Sequence, residues 1–285
     1  MQALWTLLAS AMFAAMGSFV KLAAEHHASM PQIVLFRGLP SIVMLVLWAH
    51  TRKLTLTPVA WRPHLIRNAT GVTSMWLGFY AIANLPLATA TSLTYTAPLF
   101  IAGWILTRAS AHRDPVCIAS VVFGFLGVLA VLRPELSTQQ LLPAGLGLLA
   151  GGLSAIAMMQ LRSLGRMGEA EWRTVLIFSA IVVASSLVGL LMVPWGASDW
   201  VGWSSLLAIG ASGLVGQLAM TRAFGQGSAL LNAALQYTTI IFAALIGLGF
   251  WNESLDAIAV AGIVCVISAG LLSMWRTMRS AAPAR

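Results

Sequence analysis

Charge is what this chain is short of. Of 285 residues, 16 are Lys or Arg and 8 are Asp or Glu, together 8%. A soluble domain carries about 25%. A soluble fold of this size has no way to cover its surface with so few charges. Cysteine is scarce too: Cys117 and Cys265 both sit in apolar runs and read as small buried hydrophobes, with no disulfide framework. No His/Cys/Asp cluster has metal-ligand spacing, no phosphate-cradling Gly-rich loop ending in Lys occurs, and no Gly-x-Ser-x-Gly is present. These absences argue against a metal site, direct ATP hydrolysis and serine hydrolysis. The expectation is a non-enzyme without a cofactor.

What is present is apolar. Hydrophobic residues make up 59% of the chain and the mean hydropathy is +0.87. That excludes disorder, which needs low hydrophobicity, and points to an all-α polytopic membrane protein. The net charge of +8 resembles a nucleic-acid signature. The basic residues are scattered through short loops, however, which is the pattern of positive loops on one side of a membrane. No nucleic-acid partner is expected.

A membrane helix needs about 20 apolar residues to cross the hydrocarbon. The apolar runs predict ten spans, near 3–24, 31–50, 65–84, 86–107, 115–132, 142–162, 173–193, 200–222, 228–250 and 255–275. Leu8-Ala9-Ser10-Ala11 resembles a signal cleavage site, but no basic segment precedes it and the run continues to Lys21, so it reads as a span. Pro31, Pro86 and Pro115 open spans, where a missing N–H costs nothing. Asn84-Leu85-Pro86 and Gly225-Gln226-Gly227 read as tight turns between antiparallel helices.

Orientation follows from the cations. With a cytoplasmic N-terminus, the inner side receives Arg52, Lys53, Arg62, Arg67, Arg108, Arg113, Arg162, Arg166, Arg173, Arg222, Arg276, Arg279 and Arg285, which is 13 of 16. The outer loops receive only Arg133, and Lys21 and Arg37 fall within spans. Glu25, Glu135, Asp199, Glu253 and Asp256 fall outside. Both termini are therefore expected in the cytoplasm. Trp48, Trp61, Trp172 and Trp275 sit near the inner interface; Trp195, Trp200 and Trp251 sit near the outer one.

A weak repeat is visible at a shift of 142 residues. Thr94-Tyr95-Thr96 aligns with Gln236-Tyr237-Thr238, Asn84 with Gln226, and Asp114 with Asp256. Each half, 1–135 and 136–285, would hold five spans. Five is odd, so the second copy enters the membrane upside down, as in carriers that alternate between two openings.

The ten-span, five-plus-five layout resembles the drug/metabolite transporter superfamily, in particular its EamA-type exporters. The residues that carry the resemblance are Gly17-Ser18 with Lys21, Phe36-Arg37-Gly38, Leu93-Thr94-Tyr95-Thr96-Ala97-Pro98, Asn252-Glu253-Ser254-Leu255, and the small Gly262 and Gly270. One departure is Arg108-Ala109-Ser110-Ala111-His112-Arg113, where the family often has an acidic turn. The resemblance implies a bacterial inner-membrane exporter, most like those moving aromatic and other neutral amino acids.

Candidate site residues follow from polarity at depth. Thr91, Thr94, Tyr95 and Pro98 share one helical face; Asn232, Gln236, Tyr237 and Ile240 make a similar one. Such groups do not face lipid; they face protein, water or substrate. Pro98 should kink its span. Trp76 lies deep among Thr73, Ser74, Gly78 and Tyr80, placed for stacking on a substrate or for plain packing. Gln217, Ser18 and Met158 complete the expected cavity set. Arg37 lies about 9 Å into its span. Either it and Lys21 pair with Glu25, Glu253 or Asp256, or one of them attracts a substrate carboxylate.

No Asp or Glu lies deep in any span and all five histidines fall at span ends or loops, so proton coupling has no obvious carrier. No pair of deep cations is expected at the midplane, which weighs against phosphorylated sugars. The expectation is a secondary exporter of small neutral solutes, chiefly amino acids, working by alternating access, with uncoupled facilitation as one mode. Another metabolite or drug, or a channel-like pore, stays open, as does a monomeric state. The partners expected are the small solute and the lipid bilayer.

Overall fold

The computed structural model describes residues 2–108, 119, 122–124, 126–127, 130, 138–226, 232, 235–253 and 257–280. Among these every regular element is a helix and no strand occurs. The helices are α1 (Gln2–Glu25), α2 (Met30–Thr51), α3 (Trp61–Asn84), α4 (Leu87–Thr94), α5 (Ala97–Arg108), α6 (Thr138–Arg166), α7 (Glu171–Met192), α8 (Trp200–Gln226), α9 (Thr238–Trp251) and α10 (Ala257–Ser280). Five described helices are long and apolar enough to cross a membrane: Leu4–Glu25, Met30–Thr51, Gln139–Arg166, Glu171–Met192 and Trp200–Gly225. α3 has the length, but Arg62, His64, Arg67 and Asn68 make its first half polar. Most of the predicted fifth span, the Ala109–Arg113 turn, Cys117, Arg133, Glu135, Gly227, Ser254, Leu255, Asp256 and Arg285 lie outside the described residues.

The outer surface is as apolar as the core. Met44, Leu47, Leu142, Leu191, Leu207, Leu245 and Phe250 are all exposed. Water would penalise such a surface, whereas lipid tails do not. The long helices pair across the predicted halves: α1 with α8, α2 with α7, and α3 with α6. Small residues permit the closest approaches. A Cβ at Gly165 would fall on the Gly225 backbone, where α6 meets α8. A Cβ at Gly127 would lie 2.8 Å from the Gly262 carbonyl of α10.

Two spans are interrupted. The first breaks between α4 and α5 at Tyr95-Thr96. Pro98 has no N–H, so the Thr94 carbonyl loses its helical donor. The hydroxyls nearby turn back onto their own helix: Thr91 donates to Leu87 O at 2.6 Å, Thr94 to Ala90 O at 3.0 Å and Thr96 to Leu93 O at 2.7 Å. Such back-bonding bends helices. The second break lies at Gln236-Tyr237, just before α9. There Thr238 donates to Leu235 O at 2.6 Å. Thr238 stands 142 residues after Thr96 and Leu235 stands 142 after Leu93, so the same bond recurs at both breaks. The second break contains no proline: Ile240 occupies the place of Pro98.

Charged clasps close the two ends. α9 ends on Asn252, whose φ of 47° is left-handed and turns the chain back. That turn folds Glu253 over Gly247, where it meets the Lys21 ammonium and accepts the Leu87 N–H at 2.9 and 3.1 Å. One carboxylate thus joins α1, the start of α4 and the α9–α10 turn. At the other end, Glu169 is enclosed between α6 and α7. It accepts from Val59 N at 2.7 Å, Arg173 Nη1 at 2.7 Å and Ala170 N at 3.1 Å, and lies 3.2 Å from His64 Nε2. Burial pushes its carboxyl up, but the Val59 N–H, His64 and Arg173 together outweigh burial and hold it below its usual value.

Candidate functional site

A cavity of about 170 Å³ lies between the interrupted helices and α1, α2, α3, α6, α7 and α8. α3 supplies one wall through Arg67, Gly71, Ser74, Gly78 and Ile82, a spacing of three and four that puts them on one face. Ser74 on this face bonds Ala150 O at 2.8 Å and Ser154 at 2.7 Å, fixing α3 against α6. Tyr95 enters from the first break; Gln236 and Thr239 enter from the second. Phe13, Phe79, Phe178, Met16, Met75, Met158 and Met220 make the rest largely apolar and sulfur-rich. Methionine adapts to irregular shapes, so this wall suits a solute with an apolar body.

The charge in this cavity corrects two expectations. Arg37 pairs with no carboxylate among the described residues. It is 2% exposed, lies across Gly213 of α8 and donates from Nη2 to Gln217 Oε1 at 3.1 Å. Lys21 alone takes Glu253. Arg67, counted above among the inner loop cations, is 3% exposed, sits about 9 Å into α3 and lines the same cavity. A pair of deep cations is therefore present where the sequence reading expected no such pair. The Arg67 guanidinium carbon lies 3.9 Å from the centroid of the Phe178 ring and that of Arg37 lies 6.0 Å from it. No Asp or Glu appears among the described lining residues.

The predicted residues divide into two groups. Thr94, Tyr95, Met158, Gln217, Gln236 and Arg37 line the cavity. Trp76, Tyr80, Tyr237, Asn232, Ser18, Pro98, Lys21 and Glu253 do not line it. Trp76 donates to Ser185 at 3.0 Å, facing α7. Tyr80 is exposed near the end of α3. Ser18 bonds Ala15 O at 2.7 Å within its own helix. Asn232 accepts from Thr6 at 2.9 Å and donates to Ala223 O, so both ends of its amide are occupied. Tyr237 is buried in the main hydrophobic core. The sequence reading did not select Arg67, Phe178, Phe13, Phe79 or Thr239. The stripe Arg67-Gly71-Ser74-Gly78 was the signal available for α3.

Comparison with known proteins agrees with this architecture. The profile of the EamA-like transporter family matches residues 1–133. The pseudopaline exporter CntI of Pseudomonas aeruginosa is 32% identical over 278 residues, covering 93% of each chain. Human solute carrier family 35 member G1 is 28% identical over 94% of this chain and 77% of its own length. A crystal structure superposes with a TM-score of 0.67 at 12% identity, covering 98% of this chain and 99% of that one, which is a likeness of fold.

Proposed function

The chain belongs to the EamA-like transporter family, and from that premise we propose that it is a secondary transporter, not an enzyme, that exports a small amino-acid-like metabolite by alternating access. The observation that carries this reading is the pair of interrupted helices. They break 142 residues apart with the same Thr-to-carbonyl bond, and each sends side chains into one buried cavity. Broken helices at a central site are the usual construction of carriers built from inverted repeats. In this reading the halves are 1–135 and 136–285, with ten spans, both termini in the cytoplasm and the protein in the bacterial inner membrane. The Lys21–Glu253 clasp then lies at the outer end and the Glu169 cluster at the inner end.

The solute meets Tyr95, Thr94, Gln217, Gln236 and Met158, while Trp76, Tyr237, Asn232 and Ser18 support the helices behind them and Tyr80 stays on the outer surface. Arg37 contacts the solute's carboxylate. A cavity of about 170 Å³ is the size that holds a benzene-sized body. A larger solute requires the halves to separate further. The relative named a pseudopaline exporter supports a small metabolite as cargo.

Counterflow in liposomes carrying the full-length protein tests this reading. Labelled amino acids should accumulate against an internal unlabelled pool, with saturation. Tyr95→Ala should lower that flux at least tenfold with folded protein retained. Flux that never saturates and shows no counterflow would mean a pore and end the carrier reading. An imposed pH gradient that leaves the rate unchanged would support facilitation.

A further inference from the structure

We propose that the solute is a dicarboxylate, one carboxylate held by Arg37 and the other by Arg67, with its apolar segment against Phe178; this rests on the transporter reading and narrows its cargo. Both guanidiniums are buried and both line the cavity, and no described carboxylate neutralises either. A buried cation left without a counter-charge is costly. The ring of Phe178 offsets part of that cost at Arg67. It supplies no acceptor for the N–H groups.

Those N–H groups are the second observation. Nη1 of Arg37, Nε of Arg67 and Nε2 of Gln217 are buried and have no hydrogen-bond partner among the described residues. On the same wall, Oε1 of Gln236 is buried and has no donor among the described residues. The unmet capacity is weighted to donors. It matches a ligand rich in acceptors and negative overall.

The two cations also have distinct places. Arg37 is fixed on α8 by Gln217 and by its seat over Gly213. Arg67 is fixed on α3 and stacks on Phe178 of α7. Neither shares its polar partner with the other, as Arg67 Nη1 donates to Asn68. Both guanidinium carbons face the same Phe178 ring, at 6.0 and 3.9 Å, and each can present its own fork to one carboxylate. Because the anchors belong to different helices, the doubly charged solute also ties α2, α3 and α7 together.

The test is counterflow with four probes at neutral pH: glutarate, glutamate, phenylalanine and inorganic phosphate. Glutarate should show a half-saturation at least tenfold below that of phenylalanine and should compete with every transported probe. Arg67→Gln should raise the glutarate value at least tenfold, and Arg67→Lys should recover part of it. Because Arg67→Gln risks misfolding, the parent protein gives an independent reading: glutarate flux should respond to an imposed membrane potential, and phenylalanine flux should not. Saturable phenylalanine counterflow with no competition by glutarate would overturn the dicarboxylate and leave the transporter standing. Phosphate competing as well as glutarate would overturn it too, in favour of any compact oxyanion. No counterflow by any probe would overturn both readings.

Discussion

Replacing Glu253 by Gln should open the cavity to the outside. The carboxylate binds the Lys21 ammonium and the Leu87 N–H, and the two charged side chains are only 13% and 11% exposed. Glutamine keeps the size and one acceptor oxygen but loses the charge. A hydrogen bond to a charged group contributes about 1.5–3 kcal/mol and a neutral one about 0.5–1.5. Lys21 is also left partly buried without a counter-charge. The loss comes to about 2–3 kcal/mol. If the clasp exists only while the outer end is closed, that energy moves the equilibrium between closed and open roughly 30- to 160-fold. Ile82, on the cavity wall in the last turn of α3, reports on this end. With Cys117 and Cys265 replaced and Ile82→Cys introduced, an impermeant maleimide added outside should label Glu253→Gln tens of times faster than its parent. Labelling within twofold of the parent, in folded protein, would refute the clasp as the outer closure.

Three further outcomes follow from the packing and charge. Gly151→Ala puts a Cβ onto the Thr96 hydroxyl and 2.9 Å from the Leu93 carbonyl, so α6 must back away from the first break. Overpacking of this kind costs about 1–3 kcal/mol, and a thermal midpoint lower by several degrees in detergent would register it. Gly213→Ala brings a Cβ within 2.6 Å of Arg37 Cδ; the arginine must leave its seat, and solute affinity should fall at least tenfold while the melting curve changes little. The Glu169 carboxyl is held below its usual value by the Val59 N–H, His64 and Arg173. Its stabilisation is therefore present above that value and lost as pH falls through the lower folded value. Melting midpoints measured from pH 7 down to 3 should drop less steeply for Glu169→Gln than for the parent.

The spans were legible in the sequence because burial in lipid writes long apolar runs, and α1, α2, α7 and α8 fall close to the predicted limits. The first break was legible as a kink at Pro98, and the common shift of Thr-Tyr-Thr and Gln-Tyr-Thr marked equivalent places, but the second break itself was not read. What failed was phase. The face Asn232, Gln236, Tyr237, Ile240 assumes one unbroken helix, and the interruption at Gln236-Tyr237 resets the rotation. Asn232 accordingly turns to Thr6 and Ala223, and Tyr237 into the core, while Gln236 and Thr239 reach the cavity. Arg67 was missed for a different reason. A cation near a span end looks like a loop charge, and only the start of α3 at Trp61 shows it to be inside. Arg37 was singled out by depth alone, but its partner was not, because Gln217 lies 180 residues away.

The two breaks differ in one atom that sets how each behaves under load. At Pro98 there is no amide hydrogen, so no rearrangement restores the bond to the Thr94 carbonyl; that joint is permanent. At Ile240 the hydrogen exists and currently rests on the Tyr237 carbonyl at 3.0 Å, three residues back. A shift of one residue moves it to Gln236 and mends the helix. The molecule therefore has one elbow whose helical bond cannot be restored and one whose amide hydrogen is available to restore it. The second lies next to Gln236, which itself lines the cavity, so a change at that joint and a change in the cavity wall involve the same residue.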